Sequence, residues 1–276
     1  ILKEDLESLL FIPEDHFDTL IKDITYDFEL PTRIKAQFHY INIRDGITRM
    51  DDFIVALEEG IISYCLKREK IKNTDYLNAA RLNREAREMF VKNEQTGEPG
   101  ELALYMFLES KLKAPQILSK MNLKTSGNMH YHGSDAVHMK VKDDLILLFF
   151  GESKIYKNLD SSINAALDSI SSFYFDETFE GQTQIDHELT LIRNHLDIEN
   201  EDLRENIKDI LHPWKGEKGN LRYINPCFII FEWDFLNEIS AKVEPHHKLE
   251  EILNDKKNIK IDAILEKIEE KISNTN

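Results

Sequence analysis

Asp135, Glu152 and Lys154 are the residues whose types and spacing best suit chemistry. They fall in GSDAVHMKVKDDLILLFFGESK, Gly133 to Lys154, which reads as a β-hairpin. One strand opens with Asp135 and the Asp143-Asp144 pair makes the turn. An apolar second strand runs Leu145 to Phe150, stops at Gly151 and delivers Glu152 and Lys154. Side chains alternate along extended backbone, so Glu152 and Lys154 leave the same face. Two acids and a lysine therefore meet at the end of a buried strand, where charges are costly unless they are paired or hold a metal. Phosphodiester hydrolysis needs such a set. Carboxylate oxygens hold Mg²⁺, which keeps several waters and prefers phosphate-rich ligands. The ion acidifies an attacking water and offsets charge in the transition state. A lysine beside it orients that water, accepts its proton if its own pKa is lowered, or stabilises the phosphate oxygens. The set points to a metal-dependent phosphodiesterase site.

Singly, each residue has an ordinary reading. Glu101 near a helix start suits the helix dipole. Asp135 beside Gly133 and Ser134 suits a turn. Glu152 and Lys154 suit a same-face ion pair of little energetic value. Their order carries more weight: Asp, turn, apolar strand and E-x-K, after a helix bearing Glu101 and before a helix rich in small residues. Glu98 rivals Glu101, but Pro99 and Gly100 separate it from the expected helix start. Glu109, about two turns beyond Glu101, suits a packed or solvated role. His130, His132 and His138 invite a zinc reading, which the strand-edge spacing and the lack of a nearby cysteine disfavour. His138 falls on the strand face opposite Asp135 and suits a core or edge histidine. Ser153 is expected to point away from the site, with its carbonyl still able to ligate a metal. GEPGE lacks a following G-K-[ST], which excludes a P-loop.

The elements that must position these residues follow in order. Residues 1 to about 35 read as short helices and loops, and Ala36 to Ile43 as a strand ending in an Arg44-Asp45-Gly46 turn. Helical spacing predicts helices over Met50 to Leu66 and about Thr74 to Val91. Thr96 to Gly100 is a turn, Glu101 opens the apolar helix ELALYMFLESKL, and Pro115 breaks it. Met121 to His132 reads as strand or loop edge. After Lys154 come helices over Leu159 to Phe175, Gln184 to Leu196 and Glu201 to Leu211. In the first of these, Ser161, Ala165, Ala166 and Ser169 allow close packing on the sheet. A turn-rich loop over His212 to Asn220 leads into PCFIIFEW, Pro226 to Trp233, read as a core strand. Leu249 to Ser273 is charged and helical, broken near Asn254 to Asn258. This order predicts an α/β (α+β) fold, a central mixed sheet flanked by helices, with extra N- and C-terminal helices. Three regions are expected: residues 1–95 helical or mixed and packed on the core, 96–240 the core, and 241–276 a C-terminal helical segment.

The 276 residues suffice for a large core. No apolar run approaches a membrane span. Cys65 and Cys227 lie far apart in no metal-binding spacing, which suits a reduced, cytoplasmic protein. A net charge of −16 argues against coating nucleic acid by bulk electrostatics. Between Lys111 and Lys157, however, eight lysines face four acids, a local surplus expected to coincide with the site.

The order Glu101, Asp135, Glu152 and Lys154 resembles the PD-(D/E)xK nuclease superfamily, with Ser134 where that superfamily usually has Pro. GEPGELALYMFLE (Gly97 to Glu109), APQILSKMNLKTS (Ala114 to Ser126), HGSDAVH (His132 to His138) and FGESKIY (Phe150 to Tyr156) resemble the HamA family, nuclease subunits of the Hachiman anti-phage defence system. The motifs span about sixty residues. The resemblance implies a restriction-endonuclease-like core and DNA cleavage with Mg²⁺, for which Mn²⁺ can substitute. Glu101, Asp135, Glu152 and Lys154 would be catalytic, and Asp135, Glu152 and Glu101 would hold the metal. It also implies a helicase-like ATPase partner, HamB, to which ATP would belong. The alternative is a non-cleaving regulatory or scaffold subunit that binds such a helicase. The retention of all four polar positions favours the nuclease.

Overall fold

The computed structural model describes residues 2–24, 35, 37–44, 47–75, 78–90, 97–124, 133–177, 181, 183–212, 220–232, 265–266 and 270. The N-terminal part holds α1 (Leu2–Glu7), β1 (Ile21–Ile24) antiparallel to β2 (Phe38–Ile41), and β3 (Ile43–Arg44) antiparallel to β4 (Ile47–Thr48). Next come α2 (Met50–Glu59), α3 (Ile61–Cys65), α4 (Arg68–Lys72) and α5 (Ala79–Phe90). The single helix expected over Met50 to Leu66 is divided at Gly60, where a Cβ would lie 2.6 Å from Met106 Sδ. A larger residue there would require the buried Met106 side chain to shift.

The middle layer is α6 (Glu98–Ser110). It starts before Glu101, because Pro99 sits in the first turn, where its missing N–H is not needed. From Leu102 to Ser110 the helix is buried on all sides, and Leu102 to Leu108 are all hydrophobic. Tyr105, Met106 and Phe107 join Phe17, Phe53 and Tyr64 in the N-terminal core, while Leu104 and Leu108 join Ala136 and Phe149 against the sheet.

The remaining elements are β5 (Gln116–Leu118), α7 (Lys120–Lys124), β6 (Ala136–Lys142), β7 (Leu145–Tyr156), α8 (Leu159–Phe175), α9 (Gln184–His195), α10 (Glu201–Ile210), β8 (Leu221–Ile224) and β9 (Cys227–Phe231). The sheet is mixed and runs β5-β6-β7-β8, with β9 also on β7. β5, β6 and β7 are antiparallel, and β8 and β9 lie parallel to β7. Asp143 and Asp144 take φ of 50° and 61°, the left-handed pair that a two-residue hairpin turn requires and that Asp tolerates.

Three expectations need correction. The second hairpin strand does not stop at Gly151 but runs to Tyr156. β8 pairs with its first half (Ile146 to Phe149) and β9 with its second (Glu152 to Tyr156). The partner strand is interrupted at Asn225-Pro226, where the Pro226 carbonyl accepts the Glu152 N–H at 2.9 Å. PCFIIFEW supplies β9, which is half-buried against β7 rather than central. Met121 to Lys124 is helical, not extended, and 125–132 lie outside the described residues. The expected C-terminal helix also lies outside them, except that residues 265, 266 and 270 are helical. No helix among the described residues is long and apolar enough to cross a membrane.

Two glycines set the distance between α6 and β7. A Cβ on Gly151 would stand 2.8 Å from Leu104 Cδ2, and one on Gly100 would stand 3.1 Å from Ile155 Cγ1 and 3.2 Å from Ser153 Oγ. Gly151→Ala is therefore expected to push α6 off the strand at a cost of ~1–3 kcal/mol. Thermal unfolding checks this, and an unchanged Tm would contradict the close approach.

Candidate active site

Asp135 immediately precedes β6. Its N–H donates to the Gly151 carbonyl at 2.7 Å, and its Oδ2 accepts the Ser153 N–H at 2.7 Å and the Ser153 hydroxyl at 3.0 Å. Ser153 thus does not point away from the site, as strand alternation suggests, but grips Asp135. The ladder is regular only from Ala136 onward, so the residue before it is free to turn across. Glu152 and Lys154 share the other face of β7, as alternation requires, with Lys154 Nζ 2.5 Å from Glu152 Oε1. α6 brings Glu101 to the same end of the sheet. Its Oε2 accepts the Tyr64 hydroxyl at 2.9 Å, from a ring on α3 that is wholly buried. Glu98 lies in the same first turn of α6, so the choice of Glu101 rests on its neighbours and not on where the helix starts.

The electrostatics reflect crowded acids. Burial, then the charges of Glu152 and Glu101, push Asp135 from 3.8 up to about 6, while the Ser153 N–H and Lys120 oppose the rise. Burial and the Glu101 charge raise the Tyr64 phenol far above its ordinary value, so it stays protonated as a donor. Burial lowers Lys154, but its hydrogen bond to Glu152 and the charges of Glu152 and Asp135 outweigh that and leave it above its ordinary value.

The Asp135 shift has a pH consequence. Between pH 3.8 and about 6 the folded chain keeps a proton there that the unfolded chain has released. Stability from this source is fully present below pH 3.8 and is lost as pH rises through about 6. Without divalent cations, Asp135→Asn is therefore expected to gain stability near neutral pH, on the order of 1–3 kcal/mol, and nothing below about pH 4. Equal melting temperatures for both chains at neutral pH would contradict this.

Among the described residues no three His, Cys, Asp or Glu side chains form a ready metal cage. Mg²⁺ does not require one, since one or two carboxylates with waters suffice. Asp135 and Glu152 fit that need: both are oxygen donors, and the Glu152 charge raises the cost of ionising Asp135. Glu101 adds a third carboxylate within the same field. A cleft of about 350 Å³ opens beside Asp135 and Glu152, walled by Ser169, Ser172 and Phe173 of α8 and by Asn225. His138 is a core histidine: it is fully buried, its Nδ1 lies 2.7 Å from the Ala114 carbonyl, and burial drives its pKa down to about 3. His130 and His132 lie outside the described residues.

Glu109 has the packed role expected of it. Its carboxylate accepts the N–H groups of Phe11, Ile12 and Gln116 and lies 3.8 Å from the Arg68 guanidinium. The basic surplus is divided rather than gathered at the site. Lys111, Lys113 and Lys140 bind Asp18, Glu14 and the Leu112 carbonyl, towards the hairpin-tip end. β6 is seven residues long and separates that end from Asp135 by about 20 Å. Lys154, the buried Lys120 and the exposed Lys157 just after β7 lie at the site end.

Tyr64, Lys120 and Glu188 were not found from sequence. Glu188 left one trace, since it lies a helical turn before Leu191 and Ile192 on the packed stripe of α9, where an acid is out of place. A model of the HamA family matches residues 14–275, nearly the whole chain. No curated protein and no solved structure matches it.

Proposed function

This chain belongs to the HamA family, a component of Hachiman anti-phage defence, and we propose that it serves there as a metal-dependent DNA endonuclease of the PD-(D/E)xK type. The observation that carries the reading is the meeting of Asp135, Glu152 and Lys154 at one end of β6 and β7, with Glu101 in the same field. Asp135 and Glu152 would hold Mg²⁺, or Mn²⁺ in its place, with Glu101 as the further carboxylate. When bound, the ion supplies an acidified water and a counter-charge for the phosphate. Ser153 fixes the Asp135 carboxylate, Tyr64 fixes Glu101, and Lys154 presents an ammonium to the same face as Glu152. The cleft along α8 gives the DNA strand access to that face.

A helicase-like ATPase partner of the HamB kind fits the charge of the chain. At −16 overall, with its lysines divided between the two ends of the hairpin, the protein has little bulk attraction for DNA. A partner that delivers DNA removes that need. The test is cleavage of supercoiled plasmid with Mg²⁺, with and without the partner, against an EDTA control and Glu152→Ala. Cleavage lost in both controls is the expected result. No cleavage under any of these conditions would return the chain to the scaffold reading.

A further inference from the structure

We propose that Lys120 and Glu188 are positioning residues for Asp135, acting through Ser134; the inference rests on the reading of Asp135 as a metal ligand. Lys120 begins α7, Glu188 lies on α9, and Ser134 is the residue before Asp135. All three are buried, at 3%, 1% and 6% exposure. Lys120 Nζ lies 3.0 Å from Glu188 Oε1 and donates to Ser134 Oγ at 3.2 Å. The Ser134 hydroxyl has one proton, and its shorter bond carries that proton to Glu188 Oε1 at 2.9 Å, with the Ala136 carbonyl at 3.3 Å the weaker choice. The three groups close a triangle in which each side is a hydrogen bond.

This triangle holds the chain on one side of Asp135 while Gly151 and Ser153 hold it on the other. The fold itself gains little from it. Desolvating two ions costs about as much as their attraction returns, and apolar residues of similar volume often replace such a pair without loss of stability. What apolar residues cannot supply is direction: a charged donor and a charged acceptor fix one hydroxyl, and with it the backbone that carries the carboxylate. Groups behind a metal ligand that act in this way typically change metal affinity by 10–100-fold when removed.

Two variants of the full chain test this, Ser134→Ala and the double Lys120→Met/Glu188→Leu. Mn²⁺ affinity is read by calorimetry, and Tm without metal is read beside it. Both variants are expected to melt close to wild type and to bind Mn²⁺ about tenfold more weakly or worse. If the double variant fails to fold, Ser134→Ala decides alone, because it leaves the ion pair in place. Wild-type Mn²⁺ affinity in folded variants overturns the inference and leaves the metal reading standing. A wild-type chain that binds no Mn²⁺ overturns both.

Discussion

Glu152→Ala and Asp135→Ala are each expected to lower Mg²⁺-dependent cleavage by about a thousandfold or more while the chain stays folded. The combination is what makes the expectation specific, because removing a buried polar side chain ordinarily costs stability. Here the removed group is one of several acids in mutual repulsion, so its loss relieves strain on those that remain. Glu152→Ala leaves Lys154 without its carboxylate, but that side chain is 21% exposed and can reach water. Asp135→Ala leaves the Ser153 N–H without its acceptor, at about 1–3 kcal/mol. Asp135→Asn keeps an acceptor oxygen there and is the better fold control. Single-turnover cleavage together with melting curves decides the matter. Wild-type rates in either alanine variant would remove Asp135 and Glu152 from the chemistry.

Local signals carried much of this fold. Alternation and an Asp-Asp turn mark the hairpin, and a 3.6-residue period with capping residues marks α8, α9 and α10, which begin after Asn158, Thr183 and Asn200. The errors arise where a distant element decides. Gly151 reads as a strand end because glycine usually punctuates, yet it is there so that Leu104 of α6 can cross the strand. Glu98 reads as outside the helix because of Pro99, although a first turn accepts proline. The lysines between Lys111 and Lys157 are neighbours in sequence, and the length of β6 carries them to opposite ends of the sheet. Asp135, Glu152 and Lys154 were legible because one hairpin holds them. Tyr64, Lys120 and Glu188 come from three separate helices and meet the site only after packing, so no spacing in the sequence ties them to Asp135, even though Glu188 stands out on its own stripe.

Lys154 separates catalysis from simple attraction for DNA. Were it only a counter-charge for phosphate, Lys154→Ala would weaken affinity and lower the salt dependence by about one counterion. If instead it orients the attacking water or stabilises the transition state, the loss falls on the cleavage rate, on the order of a hundredfold or more, with DNA affinity nearly kept. Its surroundings favour the second role. The side chain is only 21% exposed and its ammonium lies 2.5 Å from Glu152, within reach of the acids. The same acids hold its proton more tightly than usual, which argues for a permanent cation rather than a base. Lys154→Arg keeps the charge, yet it is expected to fail as well. A guanidinium would grip Glu152 through two parallel hydrogen bonds and leave neither oxygen free for a metal. The lysine meets the carboxylate through one oxygen and leaves the other available. Arg should therefore lower Mn²⁺ affinity as well as the rate, whereas Ala should lower the rate with Mn²⁺ binding largely retained. Binding constants and single-turnover rates on one duplex, with Mn²⁺ titrations of both variants, give the answer. An Arg variant that cuts at the wild-type rate would reduce Lys154 to a charge.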